Sequence, residues 1–197
     1  MQKNKTLKYI ARVAVLSAIA SILMLLELPL WFAPPFYELD FSELPILLGG
    51  FALGPGAAVL MELIKNLLNL LMNGTSTAFV GEFANFVTGC AFVLPAALIY
   101  KRKKTLKNAI VGLLVGTVSL VGVGALINYF VLIPAFSSLY GMPIDAIVAM
   151  GTQVNGAITS LPTLIVFAVM PFNLLKAVAC SVLTLLLYKR LSRILHI

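Results

Sequence analysis

Apolar residues gather into six runs along the chain, at about 8–30, 44–54, 56–72, 80–100, 108–133 and 163–188. A helix needs about 20 apolar residues to cross a bilayer, so the runs predict transmembrane helices, the second of them short. The second and third runs are divided by Leu53-Gly54-Pro55-Gly56. Pro55 removes a backbone donor and the glycines allow a sharp turn, which predicts a short helix, a tight turn and a new helix. The other connections are distinct in character. Residues 31–43 hold aromatics, a Pro-Pro pair and three acids, with no Lys or Arg. Residues 73–79 form a polar turn, and 134–162 a long connection expected to contain a short helix.

Composition strengthens the membrane reading. Of 197 residues, 61% are hydrophobic and 11% charged, and mean hydropathy is +1.05. Soluble domains carry about 25% charged residues. A water-soluble fold of this size cannot hide so much apolar surface, so lipid is the main solvent. The expectation is an all-α integral membrane bundle of six transmembrane helices, forming a single domain over residues 1–197. The basic start of the chain leads into a long apolar run without a small-residue cleavage site, and reads as a retained first helix.

The net charge of +7 is concentrated at Lys3, Lys5, Lys8 and Arg12, at Lys101, Arg102, Lys103, Lys104 and Lys107, and at Lys189, Arg190 and Arg193. With six spans, all three clusters fall on one side, and the positive-inside rule makes both termini cytoplasmic. The 31–43 connection then faces outward. Charge placed this way reads as a topology signal, and no solvated basic stripe for nucleic acid is available. Cys90 and Cys180 lie within apolar runs and read as buried small hydrophobes. The only histidine is His196, and no nucleophile–base pair, phosphate loop or metal-ligand cluster appears. An enzyme is poorly supported.

Polar groups within the runs are the candidate chemistry, because ionisable side chains in lipid are costly. Lys176 lies well inside the sixth run, with Asn173 three residues earlier on the same helical face. Asn128 lies near the outer end of the fifth run, and Glu82 and Asn85 at the outer start of the fourth. These five fall in the outer half of the membrane, as a pocket open to the outside would require. Glu82, nearest in depth, is the expected partner of Lys176. Glu62, Lys65, Asn66, Asn69 and Asn73 form one stripe on the third run, read as polar packing against a neighbouring helix. Ala11, Ala14, Ala18 and Ser21 form a small-residue face on the first run, suited either to packing within the bundle or to docking another membrane protein.

Several blocks in order carry a resemblance: LDFSELPILLGGFALGPGAAVLMELIKNLL, GEFANFVTG, FVLPAALIYKRKKTLKNAIVGLLVGT, NYF and PFNLLK. The chain from about residue 8 to residue 190 resembles the riboflavin-specific substrate-binding subunits (S components) of energy-coupling-factor vitamin transporters. The resemblance implies capture of riboflavin from outside, a membrane coupling subunit and two ABC-type ATPases as partners, no cofactor, and a bacterial plasma membrane. It also implies that Asn128, Asn173 and Lys176 contact flavin, that the loop Leu39, Asp40, Phe41 and Ser42 caps the pocket, and that Ala14 and Ala18 meet the coupling subunit. Glu82 and Asn85 complete the candidate site. Phe41 or Tyr129 are candidates to lie against the flavin ring. Three other readings remain open. One keeps the class and changes the ligand to thiamine, biotin, folate or a flavin analogue. Another is a self-sufficient secondary transporter, although no inverted repeats are visible. The third is a structural membrane partner, which would not need Lys176 in the bilayer.

Overall fold

The computed structural model describes residues 2–30, 34, 37–75 and 77–195, with side chains described between residues 5 and 188. Trp31, Phe32, Phe36 and His196, and the side chains of Lys3, Lys189, Arg190 and Arg193, lie outside the described residues. The elements run α1 (Gln2–Met24), β1 (Leu28–Pro29), β2 (Glu38–Leu39), α2 (Glu43–Leu53), α3 (Pro55–Asn73) and α4 (Val80–Arg102). They continue as α5 (Leu106–Tyr140), α6 (Ile144–Val154) and α7, which begins at Leu161 and is apolar to Tyr188.

Among the described residues, α1, α3, α4, α5 and α7 are long and apolar enough to cross a membrane. With its 11 residues α2 is too short to span alone. Its lack of polar alternation has a different cause from that of a lipid-facing helix. Pro45, Ile46, Leu47, Leu48, Gly49, Gly50 and Phe51 are all buried by protein. The turn into α3 forms as the Gly-Pro pair requires: Gly54 takes φ +100°, and Pro55 occupies the first turn of α3, where no donor is needed.

Two helix ends differ from the hydrophobic runs. The first run was expected to reach residue 30, but α1 stops at Met24. Pro29 cannot continue a helix, and Leu28–Pro29 instead pairs antiparallel with Glu38–Leu39. The fifth run was expected to end at residue 133, yet α5 continues to Tyr140. Pro134 lacks the amide hydrogen for the helical ladder, and the preceding residues, Asn128–Leu132, widen into a π turn that absorbs the missing bond. The same device recurs in α7, where the π turn Ile165–Val169 precedes Pro171.

Two apolar cores fill the bundle. One joins α1, α2, α3, α4, α5 and α7, with Phe51 stacked on Tyr100 at 4.4 Å and the Tyr100 and Tyr188 hydroxyls 2.8 Å apart. The other lies at the opposite end and holds Tyr37, Leu39, Ile133, Val169 and Phe172. Phe41 packs against both. The helices α4 and α5 approach to backbone contact: a Cβ at Gly112 would stand 2.7 Å from the Ala96 carbonyl oxygen, and one at Gly116 would strike the Phe92 carbonyl. Gly122 faces open space. Gly112→Ala should therefore force α4 and α5 apart and destabilise the protein by about 1–3 kcal/mol. Gly122→Ala should leave the melting temperature in detergent unchanged or slightly raised, as a helical Gly→Ala exchange removes backbone entropy. Equal melting of the two variants would refute the close approach.

Candidate functional site

At the end of the bundle remote from Lys101 and Lys104 lies a cavity of about 230 Å³. Its wall on α4 comes from the start of that helix, at Gly81, Ala84, Asn85, Thr88 and Gly89. The far wall is Leu132, Ile133 and Phe136 of α5 with Phe172 of α7. Asn128, Asn173 and Lys176 bring polar groups to it, and Glu27, Tyr37, Glu38 and Asp40 close it from the β1–β2 segment. Apolar walls with a few convergent polar groups are the usual character of a small-molecule site.

Local chain geometry brings the two asparagines together. Asn128 sits in the π turn of α5, where its Nδ2 donates to the Gly124 carbonyl at 2.8 Å. A Cβ at Gly124 would stand 2.7 Å from Asn173 Nδ2, so the absence of a side chain there lets α7 lay its amide beside α5. Asn128 and Asn173 are both buried, at 6% and 8% relative exposure.

The loop after β1 is attached to the pocket at two points. Tyr37 donates its hydroxyl to Asn128 Oδ1 at 2.7 Å, and its ring packs on Phe172 with centroids 5.1 Å apart. Lys176 Nζ donates to Asp40 Oδ2 at 2.7 Å, an ion pair with little side-chain exposure on either partner. Burial opposes ionisation of Asp40, but the charges of Lys176 and Lys65 and the bond from Lys176 prevail and hold its carboxyl down to about 2. The Ser42 amide donates to Asp40 Oδ1 at 2.8 Å, so both oxygens of the carboxylate are engaged.

At the mouth, Glu27 and Glu38 follow from the β1–β2 pairing, which sets Pro29 opposite Glu38. Partial loss of solvent at the mouth, then a hydrogen bond and charge repulsion from Glu38 together with the charge of Asp40, push the largely exposed Glu27 up to about 7, against the opposing influence of Lys176.

The expected site residues divide into two groups. Asn128, Asn173, Lys176, Asp40 and Asn85 line the cavity. Leu39 and Phe41 pack into the apolar cores, and Glu82 accepts from Thr77 Oγ1 at 3.1 Å at the start of α4. The expected contact of Lys176 with Glu82 does not form. Depth along the helices pointed to Glu82, whereas the loop folds back and delivers Asp40. Tyr129 turns away from the cavity and meets the Phe130 ring edge-on at 4.8 Å. Sequence reasoning missed Tyr37, Glu27, Glu38, Thr88 and Phe172. An acid and an aromatic flanking Asp40 were the available signal, but which neighbours turn inward depends on the β1–β2 register. On α1, Ala14 and Ala18 are exposed, while Ser21 turns inward and its hydroxyl donates to the Ser17 carbonyl at 2.9 Å. Ser21 thus leaves the small-residue face expected for it.

The family described as "ECF transporter, substrate-specific component" matches residues 8–188. The riboflavin transporter RibU of Staphylococcus aureus (strain TCH60) is 40% identical over 195 residues, 99% of this chain and 94% of that protein. The riboflavin transporter FmnP of Bacillus subtilis (strain 168) is 31% identical over 186 residues, covering 94% and 92% of the two chains. A solved structure, described as the S component of a bacterial ECF transporter, matches with a TM-score of 0.74 and 37% identity, covering 96% of this chain and 98% of that one.

The mouth carboxyls generate a pH prediction. Glu27 titrates near its ordinary 4.5 in the unfolded chain and at about 7 in the folded one, so the folded protein holds this proton more tightly. That contribution to stability is complete below about 4.5 and is lost as pH rises through about 7. The melting temperature in detergent should fall across that interval, and Glu27→Gln should flatten the fall. An unchanged slope in Glu27→Gln would assign the titration elsewhere.

Proposed function

The chain belongs to the substrate-specific components of ECF transporters, and we propose that it captures riboflavin from outside the cell and delivers it inward as the binding subunit of an ATP-driven transporter. The observation that carries the ligand assignment is the set of polar groups converging on one cavity, together with the riboflavin transporters to which the chain is similar. Riboflavin is uncharged. Its flat ring has a polar edge of alternating donors and acceptors, and its ribityl chain is a row of hydroxyls. Asn128 and Asn173 each offer a donor and an acceptor to such an edge, and Lys176 donates to an oxygen. Leu132, Ile133, Phe136 and Phe172 supply apolar contact for the ring faces. Nothing in this set demands a charged ligand, since Lys176 already has Asp40 as counter-ion.

Orientation follows from charge. The cavity opens at the end remote from Lys101 and Lys104, and the positive-inside rule puts those lysines in the cytoplasm. Both termini are then cytoplasmic, the pocket faces outward, and the membrane is the bacterial plasma membrane. The chain contains no Gly-rich phosphate loop, so energy must come from other subunits. A membrane coupling subunit and two ABC-type ATPases fill that role. Exposed Ala14 and Ala18 on α1 give the coupling subunit a face it can approach closely.

Binding should be sub-micromolar in titrations that follow quenching of flavin fluorescence. Asn128→Leu and Asn173→Leu each leave polar ligand atoms desolvated and unpaired, at about 1–3 kcal/mol, or roughly a five- to hundredfold loss of affinity. Lys176→Met should lose at least as much, because charge-assisted bonds are stronger. Wild-type affinity in all three folded variants would move the site, and binding of another vitamin alone would change the ligand within the same family.

The partner assignment has its own test. Ala14→Leu or Ala18→Leu should block co-purification with the coupling subunit while leaving riboflavin titration unchanged. Normal assembly of both variants would displace the interface from α1.

A further inference from the structure

Beside the pocket, α3 turns Glu62 and Lys65 inward to meet Glu43 of α2, and none of the three reaches solvent appreciably. Lys65 Nζ donates to Glu43 Oε1 at 2.8 Å and stands 2.8 Å from Glu62 Oε2. Lys65 also donates to Ser42 Oγ at 3.4 Å, and the Ser42 amide bonds Asp40, the partner of Lys176. Asp40, Glu43, Glu62, Lys65 and Lys176 thus form one continuous network, of which Asp40, Glu43 and Lys176 also line the cavity. Three acids face two bases. Full ionisation leaves one negative charge uncompensated in a buried site, which is strongly unfavourable.

The hydrogen bonds identify the surplus acid. Glu43 Oε1 takes a well-formed bond from Lys65. Glu62 Oε2 is close enough to Lys65 for an ion pair but poorly aligned for a hydrogen bond, and Glu62 Oε1 and Glu43 Oε2 have no hydrogen-bond partner among the described residues. Both carboxyl groups stand 2.8 Å from the Lys65 ammonium, which gathers Glu43 and Glu62 at one buried point. We propose that a proton is a resident ligand of this network, carried by the Glu62 carboxyl, so that the network beside the pocket is electrically neutral. A metal cation is the poorer occupant, because it would sit against the Lys65 ammonium already within reach of both carboxyls.

Among the described residues, the elements packed around Glu62 bring it no further acid. Residues 13–24 of α1 contain no titratable side chain, and α1 contributes only the Ser21 hydroxyl, 3.4 Å from the Lys65 carbonyl. On α4 the helix comes so close at Gly89 that a Cβ would stand 2.6 Å from Glu62 Oε2. The α4 backbone therefore seals the carboxyl pair on that side, and Lys176 faces it across Asp40.

Infrared difference spectroscopy tests the proposal without ligand, so its result is separable from the riboflavin assignment. In a Glu27→Gln background, which removes the mouth carboxyl, the protein at neutral pH should show a protonated-carboxyl carbonyl band that shifts on 13C-glutamate labelling. The band should disappear in Glu62→Gln, which mimics the protonated acid and should melt within about 2 °C of its parent. Glu43→Gln, which removes the ionised partner of Lys65, should melt at least about 6 °C lower. Absence of a labelled protonated band in the Glu27→Gln protein overturns the proposal whether or not the second variant folds. Equal destabilisation by Glu62→Gln and Glu43→Gln overturns it as well, because both acids would then be ionised.

Discussion

The pair between Lys176 and Asp40 is the constraint on which the pocket end of the bundle depends. A lysine in the middle of an apolar helix needs a counter-ion, or it carries an uncompensated charge into a medium that cannot solvate it. Among the described residues, none of the neighbouring spans pairs an acid with Lys176. The acid comes from the connection after α1, which has to fold back over the end of the bundle to reach it. Once Asp40 is placed, the rest of the segment follows. Two residues upstream Glu38 pairs with Pro29, and Tyr37 falls within reach of Asn128. Three residues downstream Glu43 begins α2 and faces Lys65. One ion pair thereby aligns the cap of the cavity and a second buried charge network.

Prolines and glycines explain why the polar side chains meet. In an uninterrupted α-helix, successive residues advance by a fixed angle, and Asn128 would be committed to the same stripe as its apolar neighbours. The π turn before Pro134 adds a residue to that turn and re-aims Asn128, while the π turn before Pro171 precedes Asn173 by one helical turn. Gly124 then allows the two helices to close on the asparagines. The cavity is thus built from departures from regular helix, located where the sequence places proline and glycine in otherwise apolar stretches.

Membrane class, the Gly54 turn and the position of α2 follow from period and composition, because lipid penalises every exception. Asn128, Asn173 and Lys176 stand out for that reason as well. The partner of Lys176 did not, since Glu82 shares its depth while Asp40 arrives through a loop whose path no periodicity encodes. The stripe on α3 looked uniform, yet Glu62, Lys65 and Asn66 are buried while Asn73 is exposed. Its buried half depends on Glu43, which in sequence reads as the last polar residue of a loop. Phe41 was a candidate to lie against a flavin ring, but it packs between the two cores.

A pocket whose polar groups already satisfy one another imposes a particular kind of binding. Asn128 Oδ1 is engaged by Tyr37 and Lys176 by Asp40, so neither waits as a bare group for a ligand. Binding is then an exchange, and its net gain is the difference between ligand contacts and the internal bonds they replace. Both internal bonds run to the same short segment. A ligand that engaged Asn128 and Lys176 together would compete with both attachments at once. That segment leads directly into Glu43 and α2, which is buried against α1, α3, α4 and α7. The cavity is thereby joined to α2 through the short chain of bonds that links Asp40, Ser42 and Glu43 to Lys65.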